Sequence, residues 1–398
     1  MASESIGETQ QVWDADNHYY EAIDAFTRHL DPKWGPRAVQ WCEIAGRRYH
    51  VLGGRVSHAV VNPTFDPIAK PGVLASYFRG NPGNENPLEL LKQRERIRPE
   101  YRDRAARVGV LEEQGLQGTF LFPTLGMIYE EPLREDPEAV VATFRAFNRW
   151  MQEDWGFTRP DGKIVTAPYI TLADPAAAEA EVEWALDHDA VMVVLRPAAP
   201  TTAFGQRSPT DPIFDGFWAR VNEAGIVVVV HAGDSGYSSQ GYADDRFSSN
   251  FSGRARPGIR GLAIERAAYD FLATLVFDRL FDRFDNLRVA SIENGSEFLA
   301  DLFRKLRSSA HKFPGYYRED PVETYRRHIW MNPFWEDDLA ETVGLMGADR
   351  VIFGSDWPHI EGLATPLDYL PEVKAFDDAD QHRILYSNAR ELATPQPR

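Results

Sequence analysis

The stretch Val12-Trp13-Asp14-Ala15-Asp16-Asn17-His18-Tyr19-Tyr20-Glu21 sets carboxylates and an imidazole two residues apart. Its apolar opening reads as a strand. Side chains two apart on a strand share a face, so Asp14, Asp16 and His18 are expected to point the same way. A carboxylate and an imidazole converging from one face each offer a lone pair to a divalent cation, which makes half of a metal site. The alternative is that these side chains satisfy local backbone groups at a strand end. Glu21 follows where the strand should stop.

The elements that must position such a site show a regular rhythm. From Asn86 onward, helix-like and strand-like segments alternate. Residues 87–114, 136–155, 174–189, 211–223, 266–284 and 378–392 read as helices. Pro137 sits in a first turn, Asp174-Pro175 and Asp211-Pro212 open two others, and Gly225 closes one. Thr119 to Thr124, Val191 to Leu195, Ile226 to Val230, Leu287 to Ile292, Ile329 to Asn332 and Val351 to Phe353 are short apolar runs. With 164–172 and the opening stretch they make eight strands. Apolar strands alternating with helices predict a parallel sheet buried on both faces, and eight repeats predict a (β/α)8 TIM barrel. The rival, an open doubly wound sheet, would carry a glycine-rich loop after strand one, and residues 16–21 contain no glycine. The expected layout is one barrel domain over 12–392, tails at 1–11 and 393–398, and an irregular, partly β insertion over about 22–86. That insertion contains the Gly53-Gly54 turn of a hairpin and many prolines. It is read as packing or as a substrate lid.

Polar residues fall where the apolar strands stop: Asp16 and His18 after strand one, His231 after strand five, Glu293 after strand six and Asp356 after strand eight. A barrel brings these ends to one mouth. Singly, each has an ordinary alternative: a satisfied core histidine, a salt-bridge partner, a helix cap. Together with Gly354-Ser355-Asp356-Trp357-Pro358-His359, Asp211 to Trp218 and Ser387 to Leu392, they resemble the amidohydrolase-related family. That branch of the amidohydrolase superfamily includes metal-dependent hydrolases and non-oxidative decarboxylases of aromatic acids. The resemblance implies that Asp16, His18, His231 and Asp356 hold a divalent zinc, iron or manganese ion. It also implies that Asp356 moves a proton. Where decarboxylase relatives usually carry a histidine after strand six, this chain has Glu293.

An ion so held would lower the pKa of a bound water towards neutrality and polarise a carbonyl. Asp356 would take a proton from that water and return it to the leaving group. Hydrolysis of an ester, thioester or amide of a small organic acyl substrate is the leading expectation. The first alternative is a carboxy-lyase acting on an aromatic or unsaturated acid; the second is a non-catalytic metal-binding barrel. Glu21 and Glu293 enlarge the carboxylate inventory, so a two-metal site with Glu293 bridging stands beside the one-ion reading. Otherwise Glu293 orients a ligand and Glu21 pairs with a neighbouring charge. Arg196 is a candidate for binding a substrate carboxylate or phosphate, or else the partner of a structural carboxylate. Asn332, Trp335 and His359 are expected to line the pocket. The Gly- and Ser-rich loop 237–260 is a candidate lid, with an oligomer contact as its alternative.

Composition bounds the partners. A formal net charge of -17 over 398 residues disfavours nucleic acid and anionic membrane, both of which need a basic face. Cys42 is the only cysteine, so neither an intrachain disulfide nor a thiolate cluster can form within one chain. No basic-then-apolar leader opens the chain and no apolar run is long enough to span a bilayer, so a cytoplasmic protein is expected. A homo-oligomer is compatible with the fold.

Overall fold

The computed structural model describes residues 10–237 and 259–398. Seven parallel strands build the barrel: β1 (Trp13–Asp14), β2 (Gly118–Pro123), β3 (Ile164–Thr166), β4 (Met192–Leu195), β5 (Val227–His231), β6 (Arg288–Ile292) and β7 (Ile329–Met331). An eighth segment, 351–353, joins through a parallel bridge between Met331 and Val351. β2 pairs with β1 and β3, and β5 and β6 follow β4 in continuous register up to β7. The Tyr169–Val194 bridge links β3 to β4. Ala15 N donates to Phe353 O at 2.8 Å, which returns the ring from the eighth segment to the first. Every residue of β2, β4, β5 and β6 is buried, as strands covered by helices on one face and a filled barrel on the other must be.

Helices pack outside this ring: α1 (Arg104–Glu113), α2 (Pro137–Asp154), α3 (Pro175–Leu186) and α4 (Asp215–Ala224) among them. The carboxylates of Asp136 and Asp174 accept hydrogen bonds from Ala139 N and Ala177 N, capping α2 and α3 where the Asp-Pro pairs predicted starts. Gly225 ends α4 with φ 61°, also as expected.

Two segments depart from the expected pattern. The opening strand is broken: β1 stops at Asp14, and pairing with β2 resumes only at His18–Tyr19. Asp16 N donates to Asp14 Oδ1 at 3.1 Å, an Asx turn that competes with the ladder. Asp14 therefore does not share a face with Asp16 and His18. The charged stretch 87–114 is not one helix either. It holds a short helix, Pro87–Leu90, then strand Arg94–Glu95 paired with Ile68–Ala69, a turn at Pro99–Tyr101, and then α1, capped by Asp103. Irregular structure thus continues past residue 86 to the start of α1.

The insertion carries an antiparallel sheet of Val39–Ile44, Arg47–Leu52 and Arg55–Val56. Gly53 and Gly54, at φ 54° and 78°, make the anticipated turn, a backbone that β-branched residues resist. Further on, Gly72 N and Leu74 N donate to His359 O and Ile360 O at 2.9 and 2.7 Å. The insertion is thereby fastened to the loop that follows the eighth segment. No helix among the described residues is long and apolar enough to cross a membrane.

Candidate metal centre

Residues 16 and 18, the last residue of β5, the residue after β6 and the loop after 353 meet at the rim where the strands end. Two histidines face each other there, with ring centroids 5.0 Å apart. His18 Nδ1 lies 3.1 Å from Pro123 O, and His231 Nδ1 lies 2.9 Å from Ala232 O. A carbonyl can only accept, so both rings carry a hydrogen on Nδ1 and turn Nε2 inward.

Around these nitrogens, Asp16 Oδ1 is 3.4 Å from both, and Glu293 Oε2 is 3.6 Å from both. Asp16 Oδ1, His18 Nε2 and His231 Nε2 are buried and find no hydrogen-bond partner among the described residues. Buried polar atoms left unpaired are costly, and ones that converge ask for a common partner. Metal–nitrogen bonds of about 2.0–2.1 Å place tetrahedral ligands about 3.3–3.4 Å apart, close to the spacing seen here. The donors fit a divalent cation.

The local field agrees. Burial pushes the His18 imidazole down, yet the facing Asp16 and Glu293 carboxylates outweigh it and raise its pKa to about 10. Burial pushes Asp16 up, but the facing His18 and His231 hold it below the ordinary carboxylate value. A pocket that keeps a proton this firmly also favours a cation.

Asp356 joins from the other side, with Oδ1 3.4 Å from His18 Nε2 and 2.6 Å from His359 Nδ1. Burial first, then the charges of Glu293, Glu361 and Asp16, hold its carboxyl well above the ordinary value. Glu293 and Asp356 both sit at φ 56°, a left-handed backbone uncommon outside glycine. Such conformations cost about 1–3 kcal/mol and persist where surroundings enforce them. Here Glu293 N donates to Asn332 Oδ1 at 3.2 Å, and Asp356 N donates to Asp16 O at 2.8 Å.

Several expected residues have other partners. Glu21 Oε1 accepts from Leu125 N and Gly126 N at 2.7 and 3.0 Å, and the residue belongs to neither cluster of candidate donors at this rim. Arg196 is locked between Glu131, at 2.6 Å, and Glu130, at 3.6 Å, and also donates to Asp234 O. Its fork is occupied, so the structural pairing is what the fold displays. Asn332 is buried and braces Glu293 N and Ile352 O. His359 stacks on His18 at 3.9 Å and meets Thr124 Oγ1 through Nε2 at 2.9 Å. Trp335 is half-buried at the mouth, with Nε1 3.3 Å from Glu361 O and Arg79 of the insertion over its ring. The candidate lid 237–260 lies outside the described residues apart from its ends.

Other residues at the site have roles that the sequence did not show. Asp14 accepts from Ser355 N, Ser355 Oγ and Asn17 Nδ2 at 2.9, 2.5 and 2.9 Å, tying the first segment to the eighth. Arg107 of α1 is buried and holds the same turn through Asn17 Oδ1, His18 O and Glu100 O. Glu361 sits close enough to Glu293 and Asp356 for their charges to interact, and burial then Glu293 raise it to about 7. Gly354 has no room for a side chain, because an added Cβ would lie 2.4 Å from Asp16 Cβ. Of these, Asp14 and Asn17 lay in the opening stretch and Gly354 and Ser355 in the motif around Asp356, whereas nothing in the sequence pattern marked Arg107 or Glu361.

Comparison with known proteins bears on this arrangement. The structure is similar to that of an amidohydrolase from Mycobacterium avium subsp. paratuberculosis K-10, 42% identical, with a TM-score of 0.91 over 98% of this chain and 100% of that one. It shares its fold with a dihydroxybenzoic acid decarboxylase from Polaromonas sp. JS666, whose structure holds manganese and 2-nitroresorcinol. That pair is 15% identical, with a TM-score of 0.57 over 81% of this chain and 93% of that one. A stretch of 136 residues, 32% of this chain, is 26% identical to 2-amino-3-carboxymuconate-6-semialdehyde decarboxylase of Dictyostelium discoideum and spans only 36% of that protein's length. A protein-family model described as amidohydrolase matches residues 99–392, and the chain belongs to that family.

Proposed function

We propose that this protein is a metal-dependent hydrolase of a small, uncharged acyl substrate, with Asp356 as its proton carrier. The observation that supports it is the charge of the mouth. Glu293, Asp356 and Glu361 gather there, and Arg196, the arginine placed to receive a substrate carboxylate, is committed to Glu130 and Glu131. An anionic substrate would meet carboxylates, whereas a neutral ester, thioester or amide would not be repelled.

Asp16, His18, His231 and Glu293 are the residues that would hold a divalent cation, with Asp356 beside them. When bound, that cation supplies Lewis acidity, polarising a carbonyl and making water a better nucleophile. Asp356 Oδ1 accepts the proton that the attacking water gives up and returns it to the leaving atom. His359, against Asp356 at 2.6 Å, steadies that carboxyl during both transfers. Manganese in the Polaromonas relative makes that metal a suitable first choice for loading, with zinc second.

A second reading, carboxy-lyase, is favoured by the decarboxylases among the relatives. In that case Asp356 enters protonated and delivers its proton to carbon as carbon dioxide leaves. The two readings separate when the manganese- or zinc-loaded protein is offered esters, thioesters, amides and hydroxybenzoates in H2(18)O. Hydrolysis puts 18O into the product acid; release of carbon dioxide without label in the organic product would replace the first reading by the second. Asp356→Asn is expected to lower kcat by about 10²–10⁴ in either reaction. Undiminished turnover in that variant would remove the assigned role.

A further inference from the structure

The insertion's hairpin sheet leaves one edge open. Its strands lie in the order Val39–Ile44, Arg47–Leu52, Arg55–Val56, so Val39–Ile44 is paired on one side only. Gly53 N donates to Ala38 O at 3.0 Å, which turns the peptide groups of the even-numbered residues towards Arg47–Leu52. Trp41 and Glu43 therefore aim N–H and C=O outward, and these groups find no hydrogen-bond partner among the described residues. Exposed edges are ordinarily blunted by lysine, proline, a bulge or extreme shortness. This one runs for six residues without lysine or proline and leaves Ile44 49% exposed. It is also held still: Trp41 Nε1 donates to Ile23 O at 2.8 Å, and its ring packs on His50 at 3.8 Å.

The charges along this edge complement themselves. Trp41 and Glu43 share one face, opposite His50 and Arg48. Arg48 leans over the Trp41 ring, 4.5 Å from its centre, and both Arg48 and Glu43 are exposed without an ion pair among the described residues. Bring two such edges together antiparallel, about a two-fold axis at Cys42. Glu43 of each copy then stands opposite Trp41 of the other, beside the Arg48 that covers it. An axis at Glu43 would oppose two carboxylates, and an axis at Trp41 would set Glu43 against Val39 with no counter-charge. On the other face, Cys42, Ile44, Tyr49 and Val51 are exposed or half-buried, and pairing would join the two faces into one apolar surface.

We infer that Val39–Ile44 is a docking edge for a second copy of this chain, which pairs about Cys42 to make one continuous six-stranded sheet. Every contact is then made twice, as a two-fold axis requires. The inference involves neither the metal nor the reaction.

Sedimentation velocity on the full chain over about 1–100 µM should show a dimer that grows with concentration. Glu43→Arg and Arg48→Glu each put like charges across the contact and should weaken association at least about tenfold. The double variant E43R/R48E exchanges the charges and should restore it. Circular dichroism checks that each variant is folded. At the axis, a pair without hydrogen bonds has its Cα atoms about 4.5 Å apart, within the roughly 4.4–6.8 Å that a disulfide spans. Cys42 is the only cysteine. Oxidation with copper–phenanthroline should therefore trap a disulfide-linked dimer, lost in Cys42→Ser and diminished in Glu43→Arg. A chain that stays monomeric throughout, or a dimer that ignores both single charge changes, overturns the inference. A dimer that cannot be cross-linked puts the contact elsewhere and overturns it too. So does cross-linking that proceeds equally in Glu43→Arg, which is the mark of chance collision.

Discussion

Ser355 joins the two ends of the site. Its hydroxyl donates to the buried Asp14 carboxylate at 2.5 Å and accepts from Trp357 N at 3.1 Å. Asp14 in turn holds Asp16 N. Burial drives the Asp14 carboxyl up to about 6 even though Ser355 and Asn17 donate to it. Ser355→Ala removes one of the two donors to Asp14 Oδ2 and leaves Asn17 Nδ2 alone there, and a lost hydrogen bond to a charged group costs about 1.5–3 kcal/mol. Urea unfolding should show a loss of that size, together with weaker metal binding, because Asp16 and Asp356 N lean on the same turn. An unchanged midpoint would show that Asp14 finds another donor. Residue type alone could not reveal this role. Asp14, Asp16 and His18 look equivalent in a period-two strand, and the Asx turn that separates them depends on a partner 341 residues away. Asp16, His18, His231 and Glu293 were legible because each ends or directly follows a run of apolar strand. Arg196 and Asn332 satisfy the same rule, yet their side chains are taken by Glu130, Glu131 and the Glu293 backbone, contacts that no local pattern encodes.

At the scale of elements, the insertion's hairpin docks on the barrel through one histidine. His50, in the strand Arg47–Leu52, is buried, packs against Trp41 at 3.8 Å and lies 2.6 Å from Tyr129 OH through Nδ1. Burial, then Arg48, lowers its pKa from 6.5 to about 3. The folded protein therefore refuses a proton that the unfolded chain accepts. Above pH 6.5 neither state is protonated there and the penalty vanishes; as pH falls from 6.5 towards 3, stability is lost. At pH 5 the loss is about 2 kcal/mol, taking 1.36 kcal/mol per unit. His50→Gln abolishes the titration, so the difference in unfolding free energy between wild type and variant should narrow by about that amount from pH 7 to pH 5. A gap identical at both pH values would mean that His50 is protonated in the folded state. The hairpin itself was readable from Gly53-Gly54, whereas 87–114 was misread as one helix. Charged side chains and scattered leucines there mimic a helical face, but Pro99 and the cap at Asp103 start α1 afresh.

The whole molecule sets the last expectation. β1, β5, β6 and the loop after 353 are far apart in sequence, and their donors meet only when the ring closes through Ala15 and Phe353. The alternation of apolar strands with capped helices made that ring predictable, since parallel strands need covering on both faces. What it could not show was how the closed ring manages its buried charge. Without a cation, Asp16 and Glu293 stand 3.4–3.6 Å from both imidazoles and Asp356 3.4 Å from that of His18, hydrogen-bond-poor distances for buried charges, which opposes folding. The donors are not assembled in the unfolded chain, so a cation that binds them stabilises the native state by mass action, about 2.7 kcal/mol at a hundredfold excess over Kd. Stripping the protein with a chelator should therefore lower its thermal midpoint, and manganese or zinc should restore it in proportion to the logarithm of free metal. Glu21→Gln, at a residue that belongs to neither donor cluster, should leave that metal-dependent increment intact, whereas Asp16→Asn should abolish most of it. A midpoint indifferent to metal in wild-type protein that nonetheless binds one ion per chain would mean that ion sits elsewhere, away from the rim where the chain brings its carboxylates and imidazoles together.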